Sequence, residues 1–397
     1  MNESKYIYLD YAATTPMDPR VIEVYKKSIN EYYGNSSSLH SIGQQAAKNL
    51  VKSREIVASL IHADRSDIIF TSSGTEADNL AIMGVALKNK NRGNHIITSS
   101  IEHHAVMNPC EYLEKIGFEV TFLPVDKYGL IDTTELESTI TDKTILISIM
   151  FANNEIGTIE PIKEIGAIAQ EHNILFHTDA VQAFGKIPID VNELNVDLLS
   201  ASAHKIYGPK GVGMLYTRNK GKREGGEKYI QPLLYGGGHE RDMRPSTVNV
   251  PGISAFAKAV ELAKEEMPNE IKRLTYFRDV IIHSLTEKID DCMLNEHPTR
   301  RLPNNVNVSI QYIEGESMVL DLDFEGIGVS TGSACSSKSL DPSHVLLAIG
   351  LKPQDAHGSL RITLGRFTSE QEVNYFLEKL PPIVQRLRKM SPLKKST

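Results

Sequence analysis

An alternation constrains this chain more than any other feature. From about residue 65 to 217, short β-rich runs take turns with helical patterns. The runs 67–73 (DIIFTSS), 95–100, 118–125, 144–150, 174–180, 196–202 and 211–217 read as strands. Between the first two, EADNLAIMGVALKNK (76–90) places Leu80, Ile82, Met83, Val85, Ala86 and Leu87 with helical spacing. Alternating strand and helix implies a mainly parallel sheet with helices on both faces. After about residue 250 the pattern changes. Two long helical stretches are expected to about 289, then a strand at 304–310 and a helix at 315–325. A Gly/Ser-rich loop (326–339), a helix (342–350), a strand (358–364) and an amphipathic helix (369–390) follow. The reading is an α/β chain with a large domain over 16–255 and a smaller α+β domain built from 1–15 with 256–397.

A length of 397 residues exceeds what one hydrophobic core usually organises, which supports two domains. Hydrophobic residues at 41% and charged residues at 23% are the balance of a soluble globular protein. The net charge of -7 gives no basic field, so neither direct nucleic-acid binding nor a membrane surface is expected. The N-terminus has no apolar signal core and no run is long enough to span a bilayer, so the expected compartment is the cytoplasm. Cys110, Cys292 and Cys335 form no CxxC pair and too small a set for a disulfide framework. NKGKREGGEK (219–228) reads as a surface loop.

In an α/β sheet, ligands sit beyond the carboxyl ends of the strands. Three polar groups fall there in chain order. Thr71-Ser72-Ser73-Gly74-Thr75-Glu76 joins a strand to a helix, and the start of a helix favours an anion such as phosphate. Asp179 ends the run ILFHTDA, with Gln182 just beyond, and an acid there can pair with a protonated pyridine nitrogen. Lys205 follows VDLLSAS in Ser202-Ala203-His204-Lys205 and projects toward the same crevice. Each alone has a plain structural explanation: a helix cap, a capping acid, a solvated lysine. Their convergence points to pyridoxal 5'-phosphate (PLP) held as a Schiff base on Lys205.

These residues lie in segments that resemble the cysteine desulfurases, the housekeeping and nitrogen-fixation type of class V, fold type I PLP enzymes. The resemblance is carried by LDYAATTP (9–16), GNSSSLH (34–40), SSGTEADNLAI (72–82), EHHAV (102–106) and NNEIGT (153–158). It continues through HTDAVQAFGK (177–186), SAHKIYGPKG (202–211), GGGHERDMR (236–244), STGSACSS (330–337) and RITLGRF (361–367). It implies a seven-stranded sheet and a cysteine-bearing loop in the smaller domain. It also implies that Asp179 pairs with the pyridine nitrogen, Gln182 approaches the ring hydroxyl and His103 stacks on the ring. By the same resemblance Gly74, Thr75, Ser202 and His204 hold the phosphate, and Thr247 reaches the phosphate of a neighbouring subunit in a homodimer. Asn154 contacts cofactor or substrate, Arg361 takes the substrate carboxylate and Asn35 assists.

Cys335 lies among small residues in Ser330-Thr331-Gly332-Ser333-Ala334-Cys335-Ser336-Ser337, the setting of a reactive thiol rather than a core residue. The implied reaction takes sulfur from L-cysteine, gives L-alanine and leaves a persulfide on Cys335. Lys205 acts as the base and His103 exchanges protons. The sulfur goes to iron–sulfur cluster assembly through a scaffold protein or other acceptor, with tRNA thiolation as a second outlet. As in some relatives, Cys335 is also a candidate transient ligand of an iron–sulfur cluster, with three further ligands coming from elsewhere. Selenocysteine lyase, another class V aminotransferase-like activity and a silent scaffold protein are the alternatives. Two segments depart from the family pattern: GNSSS near Asn35, and Arg244-Pro245-Ser246-Thr247. The short end SPLKKST weakens the expectation of any particular scaffold partner.

Overall fold

The expected strands assemble because their residues are apolar on both faces. The computed structural model describes residues 6–218, 229–332 and 341–392. Ahead of the alternation stand β1 (Ile7–Tyr8), α1 (Pro19–Glu31) and α2 (Ser41–Ser59). Then come β2 (Ile68–Thr71), α3 (Gly74–Asn89), β3 (His95–Ser99), α4 (His104–Lys115) and β4 (Glu119–Leu123). The alternation ends with α5 (Thr133–Thr139), β5 (Thr144–Ser148), α6 (Ile162–Glu171), β6 (Leu175–Asp179), β7 (Leu198–Ser202) and β8 (Gly213–Thr217). Together β2–β8 form a seven-stranded sheet in the order β2-β8-β7-β6-β5-β3-β4. Only β8 runs antiparallel to its neighbours, β2 and β7.

Every residue of β2, β3, β5, β6 and β7 is buried, as a sheet covered on both faces requires. Successive side chains point to opposite faces, so each strand feeds two cores. Ile68, Phe70, Ile97 and Phe176 enter one with Phe184 and Phe256. Ile69, Ile96 and Leu175 enter the other with Leu80, Val85 and Leu113.

The second half departs from the sequence reading in its longest helix and in three short elements, Cys292–Leu294, Ile327–Gly328 and Pro353–His357. The two expected helices are a single one, α7 (Val250–Lys288). Pro268 stands on its solvent side, where a carbonyl left without an N–H partner is open to water, so the helix continues through it. No break falls at the expected 255/256 boundary. Phe256, Ala257, Ala259, Val260 and Leu262 still pack in the first core, and Leu274, Phe277, Ile281 and Leu285 in another. That further core gathers β9 (Cys292–Leu294), β10 (Asn305–Ile310), α8 (Gly315–Phe324) and β11 (Ile327–Gly328). α9 (His344–Ala348) and α10 (Pro353–His357) precede β12 (Ser359–Thr363) and α11 (Glu370–Met390). β12-β10-β9 form a small antiparallel sheet, and β1 pairs in parallel with β11. Ile7 and Leu9 are buried in this core, and the chain then runs from Asp10 toward the first sheet.

Among the described residues no helix is long and apolar enough to cross a membrane. The surface loop read at 219–228 and the part of the cysteine loop from 333 to 339, with Cys335, lie outside the described residues. Phe176 is fully buried at the centre of the large sheet. Phe176→Ala is expected to lower the unfolding free energy by about 3–5 kcal/mol in chemical denaturation. The exposed Tyr276→Ala should change it by less than about 0.5 kcal/mol.

Candidate active site

The carboxyl ends of β2, β5, β6 and β7 open into a cavity of about 260 Å³. Gly74, Thr75, His103, Asn154, Asp179, Gln182, Ser202, His204, Lys205 and Arg361 all line it. Asn35 and Thr247 do not: both are exposed and stand outside the cavity of the single chain. Asn35 uses its side-chain oxygen to accept from the Ser37 N–H at 2.9 Å, in the loop before α2. Thr247 follows Arg244, whose guanidinium pairs with Glu76 at 2.8 Å, so this departure from the family pattern is still tied to the start of α3.

The turn from β2 into α3 has the form of an anion cradle. Ser73 caps the helix, its hydroxyl accepting from the Glu76 N–H at 3.1 Å. The first-turn N–H groups of a helix have no acceptor within it and carry the positive end of its dipole. Gly74 is required by space: a Cβ there would stand 2.8 Å from Val181 Cγ2. Opposite, His204 shares a 3.0 Å hydrogen bond with the Thr14 hydroxyl through Nδ1. Burial, then the nearby Lys205, Lys210 and Lys186, pull its pKa down to about 4, so it is a neutral ring at pH 7.

The acid side of the cavity is deeper. Asp179 ends β6, and its Oδ1 accepts from the Val181 N–H at 2.8 Å. Burial raises its pKa, while that hydrogen bond and Lys205 oppose the rise. Asp78 of α3 also lines the cavity, and burial, with the charge of Asp179 adding, raises it well above the carboxylate range. Beneath them His177 lies fully buried between the hydroxyls of Ser148 (2.9 Å) and Ser200 (3.0 Å). Burial takes His177 down to about 3, so the floor of the site is neutral.

Lys205 donates to two main-chain carbonyls, those of Ala12 at 2.5 Å and Ala13 at 2.9 Å. His103 is the N-cap of α4, where Nδ1 accepts from the Ala105 N–H at 3.0 Å. Its neutral ring therefore carries the proton on Nε2. Burial, then Lys205, His104 and His344, lower it to about 4. Arg361 of β12 is almost wholly buried; it bonds the Asn154 carbonyl at 3.1 Å and the Asp10 carboxylate at 2.9 Å. Its Nε has no partner among the described residues. A guanidinium with spare donors at the cavity wall suits a carboxylate.

The residues present fit PLP by the chemistry of their donors. A helix start with Thr75, Ser202 and His204 suits the phosphate, a buried acid suits the ring nitrogen, and the Lys205 amine lines the same cavity. Among the described residues no group of three or more His, Cys, Asp or Glu could hold a metal ion.

Sequence reasoning missed the carbonyls of Ala12 and Ala13, Asp78, His177 and Lys186. Asp78 had a signal, an acid set among the apolar positions of the 76–90 helix. The carbonyls had none, because side-chain identity says nothing of which main-chain oxygen faces a cavity. The low pKa of His103 has a measurable outcome. In an NMR titration its ring should stay neutral as pH falls to about 5 and protonate near 4. A midpoint at the ordinary histidine value of about 6.5 would contradict the desolvated geometry.

Comparisons with known proteins give the family. The family model described as Aminotransferase class-V matches residues 7–376. Cysteine desulfurase IscS of Dictyoglomus turgidum is 53% identical over 388 residues, which are 98% of this chain and 97% of that protein. A solved NifS-like protein is 40% identical, with a TM-score of 0.89 over 96% of this chain and 100% of its own. A solved structure described as SspA in complex with cysteine is 38% identical, with a TM-score of 0.79 over 91% of this chain and 100% of its own. The chain belongs to the class V aminotransferase family, among its cysteine desulfurases, and is a PLP-dependent enzyme.

Proposed function

We propose that this enzyme takes sulfur from L-cysteine and passes it to an acceptor through Cys335. The observation that carries the reading is the convergence of Lys205, Asp179, His103 and Arg361 on one cavity. An enzyme that only exchanged amino groups would account for Lys205 and Asp179 but would give Cys335 no task.

PLP, when bound, withdraws electrons from the substrate's α-carbon. The roles of the chain follow from its geometry. Arg361 binds the substrate carboxylate through its spare donors, with Asp10 and the Asn154 carbonyl fixing the plane of the guanidinium. Asp179 would hold a proton on the ring nitrogen, and burial would strengthen that pairing. Lys205 is the attachment point and takes the α-proton. His103, neutral at pH 7 with its proton on Nε2, offers that N–H as a hydrogen-bond donor to the reacting groups. The Cys335 thiolate attacks the substrate sulfur. The bond between that sulfur and the β-carbon breaks, its electron pair stays with carbon, and protonation there, with return of the α-proton by Lys205, yields alanine. Cys335 keeps the sulfur as a persulfide. The small residues around Cys335 suit a thiol that must travel from the cavity to a partner.

We assign Thr247 to the phosphate of a second copy in a homodimer, and Asn35 to assisting the substrate carboxylate. The acceptor we propose is an iron–sulfur scaffold protein, where Cys335 would contribute one ligand to an assembling cluster.

After incubation with L-cysteine, mass spectrometry should find one added sulfur on the peptide carrying Cys335. Cys335→Ala should bind cysteine yet release no sulfide with a reductant. Sulfide released at the normal rate by this variant would overturn the persulfide route. Arg361→Lys keeps the charge but loses the fork. It should raise KM for cysteine by about 10- to 100-fold with a smaller change in kcat.

A further inference from the structure

Lys186 is a desolvated amine that the reaction as derived does not use. The turn after β6 brings it back toward the cavity. The N–H groups of Ala183 and Phe184 donate to the Ala180 carbonyl, and those of Lys186 and Ile187 to the Ala183 carbonyl. Gln182 and Lys186 thus stand one helical turn apart, on the same side. Gly185 makes the turn possible, with φ at +72° and room for no side chain: a Cβ would lie 2.9 Å from Ile206 Cγ2.

Lys186 Nζ donates to Gln182 Oε1 at 2.7 Å, and Gln182 Nε2 donates to the Ala12 carbonyl at 2.9 Å. That carbonyl also accepts from Lys205. The surroundings hold little to neutralise the Lys186 amine. Burial, then Lys205 and Arg361, lower it to about 7. Asp10 is engaged with Arg361, and Glu270, across a small neighbouring cavity, with Arg273. The bond to Gln182 is therefore what fixes the amine, and the amine in turn fixes the amide.

A primary amide has one oxygen and two N–H donors. Here Lys186 takes the oxygen and Ala12 takes one N–H. A flipped amide would set its oxygen against the Ala12 carbonyl, a repulsion, and would lose the hydrogen bond that the amine donates to the amide oxygen. Gln182 lines the cofactor cavity. We propose that Lys186 is a positioning residue that locks the Gln182 amide with an N–H facing the cofactor cavity, so that the cavity recognises an oxygen acceptor on the ring. This rests on the reading of the cavity as the PLP site.

The test compares wild type, Lys186→Met, Lys186→Arg, Gln182→Ala and the double variant Gln182→Ala with Lys186→Met. Each apoprotein is titrated with PLP, reading Kd and the position of the visible band, and a thermal melt of each confirms folding. Lys186→Met should weaken PLP binding by about tenfold, the loss expected when a buried amide oxygen is left without its donor, and should move the band. Lys186→Arg, which keeps a donor, should restore most of the affinity. In the Gln182→Ala background, Lys186→Met should change Kd by less than about twofold, because the amide it acts through is gone. Equal effects in both backgrounds, or no effect in wild type, would overturn the role. A wild-type chain that forms no visible band would instead overturn the cofactor reading and this role with it.

Discussion

The amine of Lys205 is held by the carbonyls of Ala12 and Ala13, and the site depends on that hold. These carbonyls belong to a segment that starts in the smaller core and ends on the large sheet. Ile7 and Leu9 pack among Val306, Leu360 and Phe376, whereas Thr15 bonds the His204 carbonyl and the Tyr207 N–H. Asp10, between these anchors, pairs with Arg361 of β12. One short stretch of chain thus sets the distance between the Lys205 amine and the Arg361 guanidinium, the groups we assign to the cofactor and to the substrate. Neither core could fix that distance alone.

Burial is the second constraint. The large sheet is covered on both faces, so polar groups at its carboxyl ends are poorly hydrated. The same desolvation acts in opposite directions on acids and bases. It raises Asp179 and Asp78 and lowers His103, His177 and His204. The histidines are consequently neutral at pH 7 and can donate or accept hydrogen bonds without adding charge. Asp179 is the exception that matters: the Val181 N–H and Lys205 oppose its rise, and a cationic ring nitrogen would oppose it further. Preorganised charge of this kind serves catalysis because it needs no rearrangement when the reaction begins.

The elements that positioned the site were legible because their signals are local. The runs ending at Thr71, Asp179 and Ser202 are apolar and short, and polar residues follow each one at once. Helix α7 is one helix where two were expected, and the packing of its two halves in separate cores, which carries it past Pro268, is not a local signal. Asn35 and Thr247 were named from motifs, and a motif does not say which cavity a loop will face.

The sequence by itself determined the alternating architecture, the strand-end placement of Thr75, Asp179 and Lys205, and the family to which they belong. Periodicity and turn chemistry are properties of neighbouring residues and survive in one dimension. Only the tertiary structure decided that Ala12 and Ala13 receive the Lys205 amine, that Asp10 orients Arg361, and that Lys186 holds the Gln182 amide. The first two contacts join segments far apart in the chain. The third joins near neighbours, yet it takes its meaning from the desolvation that surrounds it. Burial and main-chain direction exist only once the sheet is covered, and they turned a set of suitable residues into an ordered site.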